Sequence, residues 1–155
     1  MSKSVRRVQE AAEAAGLSIE ILRMPESTRT AAEAAAACGC AVAQIVKSMI
    51  FEGADSGALK LLLVSGAHEV DPARAAAVLG EGLSRADPKR VREETGFAIG
   101  GVAPIGHLAA IETWMDAALL EHDVVWAAAG APNAVFSIGP QALRAATGAR
   151  DLPLR

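Results

Sequence analysis

Ile45-Val46-Lys47-Ser48-Met49-Ile50-Phe51, then Glu52-Gly53-Ala54-Asp55-Ser56-Gly57, then Ala58-Leu59-Lys60-Leu61-Leu62-Leu63-Val64-Ser65-Gly66: two apolar runs flank a turn-forming segment, which reads as strand, hairpin loop, strand. The second run is apolar on both faces near its end, so it belongs in the centre of a sheet. Side chains alternate along a strand, so Lys47 shares a face with Ile45, Met49 and Phe51. A lysine on an apolar face either snorkels to the sheet edge or fixes a positive charge in a cavity. In a cavity its natural partner is a phosphate or a carboxylate.

Outward from this hairpin, helix signals punctuate the chain. Downstream, Asp71-Pro72 and Asp87-Pro88 each place an N-cap before a first-turn proline, and Gly80 and Gly96 close those helices. Upstream, Thr30-Ala31-Ala32-Glu33 fits a capping box that opens an alanine-rich helix running to Cys38, with Gly39 as its stop. The first helix spans about Ser4 to Ala15, with Val5, Val8, Ala12 and Ala15 at helical spacing and Gly16 after it. Leu17 to Leu22 alternates as a short strand, ended by Met24-Pro25. Phe97-Ala98-Ile99 reads as a strand, and Leu108 to Ala110 as another. Ile111 to Leu120 is mixed, with a helical turn. Val124–Gly130 and Ala134–Ile138 read as late strands joined at Ala131-Pro132-Asn133, and Pro140 to Thr147 as a last helix. Regular strand–helix alternation is lacking, so the expected class is α+β with a mixed or antiparallel sheet.

The 155 residues suit one domain, and a hydrophobic fraction of 52% supplies a core. No apolar run approaches the roughly 18 residues that span a bilayer. The basic start, Met1 to Arg7, lacks the apolar middle of a signal peptide, so the expected compartment is the cytoplasm and no membrane partner is expected. A net charge of −3 argues against gripping long nucleic acid, DNA included, by its phosphates. Aromatic residues make up 3% and Tyr is absent, so a run of base-stacking rings cannot be built, although contact with one nucleotide or an RNA tip can. Cys38 and Cys40 are too close in sequence for an unstrained disulfide, and His68, His107 and His122 have no metal-type spacing. Neither a metal nor another cofactor is expected.

Gly100-Gly101-Val102-Ala103-Pro104-Ile105-Gly106-His107 is the second informative stretch. Glycine lets a backbone approach a ligand closely, so the octet is either a binding rim or a plain tight turn. His107, at its end, suits a proton shuttle or a hydrogen bond to a backbone carbonyl. Ser65-Gly66, at the end of the central strand, offers a hydroxyl and bare backbone, but no Gly-x-Ser-x-Gly elbow occurs. His68 reads as solvated, Asp71 and Asp116 as caps, and Asn133 as a turn residue. Lys89, Arg90 and Arg92 form a basic cluster, the best local candidate for touching an RNA backbone. Phosphate-loop, dinucleotide and His-Glu-x-x-His motifs are lacking.

Taken in order, Ile45–Phe51, Leu62–Gly66, Thr95–His107 and Ala128–Phe136 resemble the YbaK family of aminoacyl-tRNA deacylases, free-standing relatives of the editing domain inserted in bacterial prolyl-tRNA synthetases. The lysine segment followed by Gly-x-x-x-Pro is the more specific part, and the resemblance runs over nearly the whole chain. It implies a single editing domain over residues 1–155, with a mixed, barrel-like sheet surrounded by short helices. The implied reaction is hydrolysis of the ester joining a small wrong amino acid to tRNA, most often tRNA for proline. Ala, Cys, Ser, Thr and 2-aminobutyrate are the candidate amino acids. By that likeness Lys47 holds the phosphate or ribose of the terminal adenosine, and the Gly100–Pro104 loop, Gly101 included, positions the ester and a water. No metal is implied; the attacking water is served by the substrate's own ribose hydroxyl. Ser65, Gly66, Met49, Val102, His107 and Asn133 are the expected substrate-binding walls. The implied partners are the acceptor end of aminoacyl-tRNA and prolyl-tRNA synthetase. Two other readings remain: a non-catalytic module that binds a tRNA end or a synthetase, and a hydrolase of small free esters.

Overall fold

The computed structural model describes residues 2–154. In chain order the helices are α1 (Lys3–Ala14), α2 (Ala31–Cys38), α3 (Pro72–Leu79), α4 (Pro88–Thr95) and α5 (Pro140–Thr147). The strands are β1 (Ile21–Arg23), β2 (Val46–Gly53), β3 (Leu59–Ser65), β4 (Leu83–Arg85), β5 (Glu112–Asp116), β6 (Val125–Ala128), β7 (Ala134–Ile138) and β8 (Arg150–Leu152).

Local chemistry sets the helix ends. Thr30 and Glu33 make the reciprocal capping box of α2. Asp71 and Asp87 accept from Ala73 and Lys89 N–H groups at the starts of α3 and α4. Left-handed glycines close α2 to α5, where any other residue would be strained.

The hairpin forms in the expected place, with Val46 opposite Ser65 and Glu52 opposite Leu59. It is the centre of a five-stranded mixed sheet ordered β4-β2-β3-β5-β8, in which β3–β5 and β5–β8 are parallel. Every residue of β3 is buried because both faces of the sheet are covered. Leu61 and Leu63 join the main core with Val8, Phe97 and Phe136, while Leu62 and Val64 join a second core with Ala75 and Trp114. Truncating one of these leucines to alanine costs about 2–5 kcal/mol.

A second, antiparallel sheet, β1-β7-β6, touches the first at one parallel bridge, Ile45 to Trp126. Beyond this bridge the sheets splay, approaching a barrel without closing it. Among the described residues the outer edge of β2 pairs with β4 only over Phe51–Gly53. The N-terminal half of β2 therefore borders a gap between the sheets.

Several elements differ from the sequence reading. Phe97-Ala98-Ile99 is not a strand: Phe97 is 1% exposed, Ile99 is 57% exposed, and neither has a partner strand. Leu108–Ala110 is not a strand either, because the Leu108 and Ala109 N–H groups close the last carbonyls of α4, at Thr95 and Glu94. The stretch Ile111–Leu120 splits into β5 and a 3₁₀ turn, Ala117–Glu121. The first strand starts later than Leu17, where Ile21 finds Phe136. The three-residue strands β4 and β8 carry too little pattern to be read locally.

Candidate functional site

The gap between the sheets is a cleft of about 460 Å³, within the ~300–1,000 Å³ typical of small-molecule sites. One wall is β2 from Val46 to Met49, and the opposite wall is β6 with Val135 of β7. The start of α2 and the preceding Thr28–Thr30 form the roof, and Ile99, Gly100 and Val102 form the rim. Arg29, Lys47 and Arg85 line it, and no Asp or Glu does. In a chain of net charge −3 this local excess of positive charge is suited to an anionic ligand. A second, more apolar depression of about 390 Å³ continues from it, between Met49, Phe51, Ala86 and Val91. Ser48, Met49, Arg85, Ile99, Gly100 and Val102 are common to both.

Lys47 is held by a hydrogen bond from its Nζ to the His68 carbonyl. No carboxylate pairs with it among the described residues. His68 is half-buried rather than solvated, because its Nδ1 lies 2.7 Å from Asp116 Oδ2. Asp116 is 2% exposed and does more than cap: it accepts from the Ser65 N–H at 3.1 Å and from the Ala118 N–H at 3.0 Å. One buried carboxylate thus ties together the end of β3, the His68 loop and the turn after β5, and so sets the carbonyl that holds Lys47.

The glycine loop is rigid from behind. Arg7 of α1 stacks 5.0 Å over the Phe97 ring and donates to the Gly96 carbonyl at 2.5 Å. His107 meets the same ring edge-on at 5.9 Å, and its Nε2 donates to the Ala103 carbonyl at 2.7 Å. Burial pushes the His107 pKa down, against the opposing pull of that carbonyl, so the neutral ring is favoured. Of the two roles open to it in the sequence, His107 fills the structural one. The N–H groups of Gly100 and Val102 find no acceptor among the described residues, while that of Gly101 closes a turn onto Ala98.

Two glycines here are demanded by geometry. Gly100 has φ +95° and lies under the Arg29 side chain. A Cβ on Gly101 would sit 3.1 Å from the Ala131 backbone. That turn, Ala131-Pro132-Asn133, also anchors the roof: Thr28 donates to the Pro132 carbonyl at 2.9 Å through N–H, and Asn133 exchanges hydrogen bonds with Met24.

Of the residues singled out in the sequence, Lys47, Met49, Gly100 and Val102 line the cleft. Gly101 lies directly behind its rim. Ser65 does not reach it: the residue is 1% exposed and its hydroxyl donates to the Ala43 carbonyl. Gly66 packs on the Val42 carbonyl and donates to Ile45. Pro104 and His107 border a separate shallow groove beside α1 and α5. The basic cluster on α4 is partly neutralised, with Arg90 bound to both Glu52 and Glu94. Arg29, Arg85, Trp126 and the buried Ser48 hydroxyl, which has no partner, were not read from sequence. Thr30's cap was the one local signal pointing at this wall.

Cys38 and Cys40 are free thiols. Burial, reinforced by Cys40, pushes the Cys38 thiol up to about 11, which makes it a poor nucleophile at neutral pH. No group of three metal-ligating side chains occurs among the described residues, and none of the described helices is long and apolar enough to cross a membrane.

Residues 25–146 match the aminoacyl-tRNA editing domain. The chain belongs to that family. The match contains β2, the glycine loop and the Ala131–Asn133 turn, so the cleft lies within the editing domain. A solved structure of a candidate trans-editing enzyme for prolyl-tRNA synthetase is 46% identical, with a TM-score of 0.93 over 100% of this chain and 98% of that one. The uncharacterized protein YwhH of Bacillus subtilis (strain 168) is 27% identical over 124 residues, 80% of this chain and 78% of YwhH. A proline–tRNA ligase of Thermosipho melanesiensis is 35% identical over 88 residues, 56% of this chain but 15% of the ligase. The α+β architecture and its mixed sheet agree with the first of these at the level of the whole fold.

Proposed function

We propose that this protein, as one editing unit over residues 1–155, hydrolyses the ester of mischarged aminoacyl-tRNA, with tRNA for proline carrying a small wrong amino acid as its leading substrate. The observation that carries this reading is the cationic cleft whose rim offers two unpartnered backbone N–H groups, those of Gly100 and Val102. The likeness to a candidate trans-editing enzyme for prolyl-tRNA synthetase and to part of a proline–tRNA ligase supports the choice of tRNA, and makes prolyl-tRNA synthetase the leading partner.

In this reading Lys47 and Arg29 hold the phosphate and ribose of the acceptor end. The ester carbonyl rests on the loop N–H groups, which stabilise the oxyanion that develops as water attacks. The water oxygen bonds to the carbonyl carbon, and the ester C–O bond breaks. The ribose oxygen leaves with a proton, giving free amino acid and tRNA. No His, Asp, Glu or Cys lines the cleft, so base assistance comes from the substrate's own ribose hydroxyl. An aminoacyl ester is already activated, and positioning with carbonyl polarisation suffices. The wrong side chain enters the apolar depression between Met49 and Val91. Such a pocket separates substrates by only about 1–3 kcal/mol per methylene, so more than one of Ala, Cys, Ser, Thr and 2-aminobutyrate is accepted.

The lack of a protein base in the cleft also favours a second reading, a module that binds a tRNA end without hydrolysing it. A deacylation panel decides between them: several amino acids on tRNA for proline, then one amino acid on several tRNAs. Release from at least one mischarged tRNA, unaffected by a chelator, is the expected result. Tight binding with no release across the panel would establish the module, and equal turnover of free amino-acid esters would point to a small-ester hydrolase.

A further inference from the structure

The chain has two tryptophans, and the fold treats them differently. Trp114 on β5 is 8% exposed, with its indole N–H on Glu112 Oε2 at 2.9 Å. Trp126 on β6 is half-buried, lines the main cleft, and is the one aromatic ring among the lining residues. It packs against the small cluster of Ala34, Ala35 and Ile45. Its indole N–H has no acceptor among the described residues. A buried indole ordinarily finds a hydrogen-bond partner. A half-open ring with a spare donor, in a cleft that also holds Arg29 and Lys47 and no carboxylate, is furnished for a planar ligand carrying negative charge. Stacking on a ring together with cation contacts to phosphate is how single-stranded nucleic acid is held without reading its sequence. One ring stacks one base, which is what a chain with 3% aromatic residues can provide.

We propose that Trp126 is a nucleobase platform that stacks the terminal base of the RNA substrate and adds to the grip of Arg29 and Lys47 on its acceptor end. This rests on the aminoacyl-tRNA reading above and adds to it the place of the base. The platform belongs to binding, not to the chemical step. Its removal therefore raises KM and leaves kcat near its starting value.

The test uses the full chain and two probes: uncharged tRNA with its normal 3′ adenosine, and the same tRNA with an abasic 3′ nucleotide. Intact tRNA is expected to quench the tryptophan emission of the wild type, and the abasic tRNA is not. The quench disappears in Trp126→Phe, since Trp114 stays buried. Trp126→Leu keeps apolar contact with α2 but loses the flat ring, and is expected to weaken tRNA binding and raise the deacylation KM roughly tenfold, from the ~1–3 kcal/mol of one stacked base. Trp126→Phe recovers part of that loss, which a folding defect would not do. Equal quenching and affinity with abasic tRNA, or an unchanged KM in Trp126→Leu, overturns the platform while deacylation by the wild type leaves the editing reading standing. Base-dependent quenching in a protein that deacylates nothing overturns the editing reading and keeps the platform.

Discussion

Lys47 and Lys60 sit on the two strands of one hairpin and have opposite fates. Lys60 is 7% exposed and lies 2.9 Å from Glu112 and 3.5 Å from Glu81. Its hydrogen bond to Glu112 raises its pKa, so its charge is permanent and locally neutralised. Lys47 is half-buried, bound to a backbone carbonyl, and faces a cleft with no carboxylate. The same side chain is a structural tie at one end of the hairpin and an unspent positive charge at the other. The difference lies in what the neighbouring strands bring: β5 and the segment after α3 deliver glutamates to Lys60, whereas the splayed sheets leave Lys47 beside open space.

The largest effect should come from separating these two roles. Lys47→Ala is expected to lower deacylation roughly 100-fold or more, the scale of misplacing the ester once the acceptor end loses its anchor, with little change in thermal midpoint. Lys60→Ala should do the reverse, lowering stability because it takes the cation away from Glu112 and Glu81, while activity per folded molecule is kept. Steady-state deacylation and urea unfolding on both variants check the pair. Full activity in Lys47→Ala would break the comparison.

A smaller loss is expected from the rim. Gly101→Ala pushes a methyl towards the Ala131 backbone, 3.1 Å away, so the loop must move. We expect kcat/KM to fall about tenfold, since misplacement of about 1 Å can cost up to ~100-fold, with tRNA affinity nearly unchanged. Next comes the tie behind Lys47. Asp116→Ala leaves the Ser65 N–H without its acceptor and removes the Asp116 contact of the His68 ring. It should cost about 1–3 kcal/mol in stability and lower activity several-fold through the loosened His68 carbonyl. Asp116→Asn, which keeps one acceptor, should restore part of both, as unfolding and kinetics on the two variants would reveal.

The smallest effect is a pH dependence at the closed end. Backbone N–H donation from Ser56, helped by the Ser56 hydroxyl, the Asp55 N–H and Lys60, lowers the Glu81 pKa from an ordinary 4.5 to about 2. A carboxylate with a depressed folded pKa adds stability that is complete above 4.5 and is lost as pH falls towards about 2. The urea midpoint of the wild type should therefore drop more steeply over that window than that of Glu81→Gln. Parallel slopes would remove Glu81 from the account of the closed end.

How much could be read beforehand follows the range of each interaction. The caps of α2, α3 and α4 were legible because Thr30 with Glu33, Asp71 with Pro72 and Asp87 with Pro88 act within one helical turn. The hairpin was legible because its pairing is local. β5 was missed because its partner, β3, is remote and parallel, so neither turn signal nor alternation announces it. Phe97-Ala98-Ile99 misled because an apolar run says nothing of whether a partner strand exists. Lys47, Gly100 and Gly101 stood out by residue type and spacing. Arg29, Arg85 and Trp126 did not, because each belongs to the cleft only once β4, β6 and the segment before α2 converge on β2.

By itself the sequence determined the helix stops, the central hairpin, the place of the glycine loop and the family likeness, since these depend on backbone preferences and short-range hydrogen bonds. Only the tertiary structure decided which lysine keeps its charge free, that His107 supports the loop from behind, and that Ser65 is walled off from the cleft. Those outcomes are set by charge neutralisation and burial between segments far apart in the chain, and no local pattern of residues encodes them.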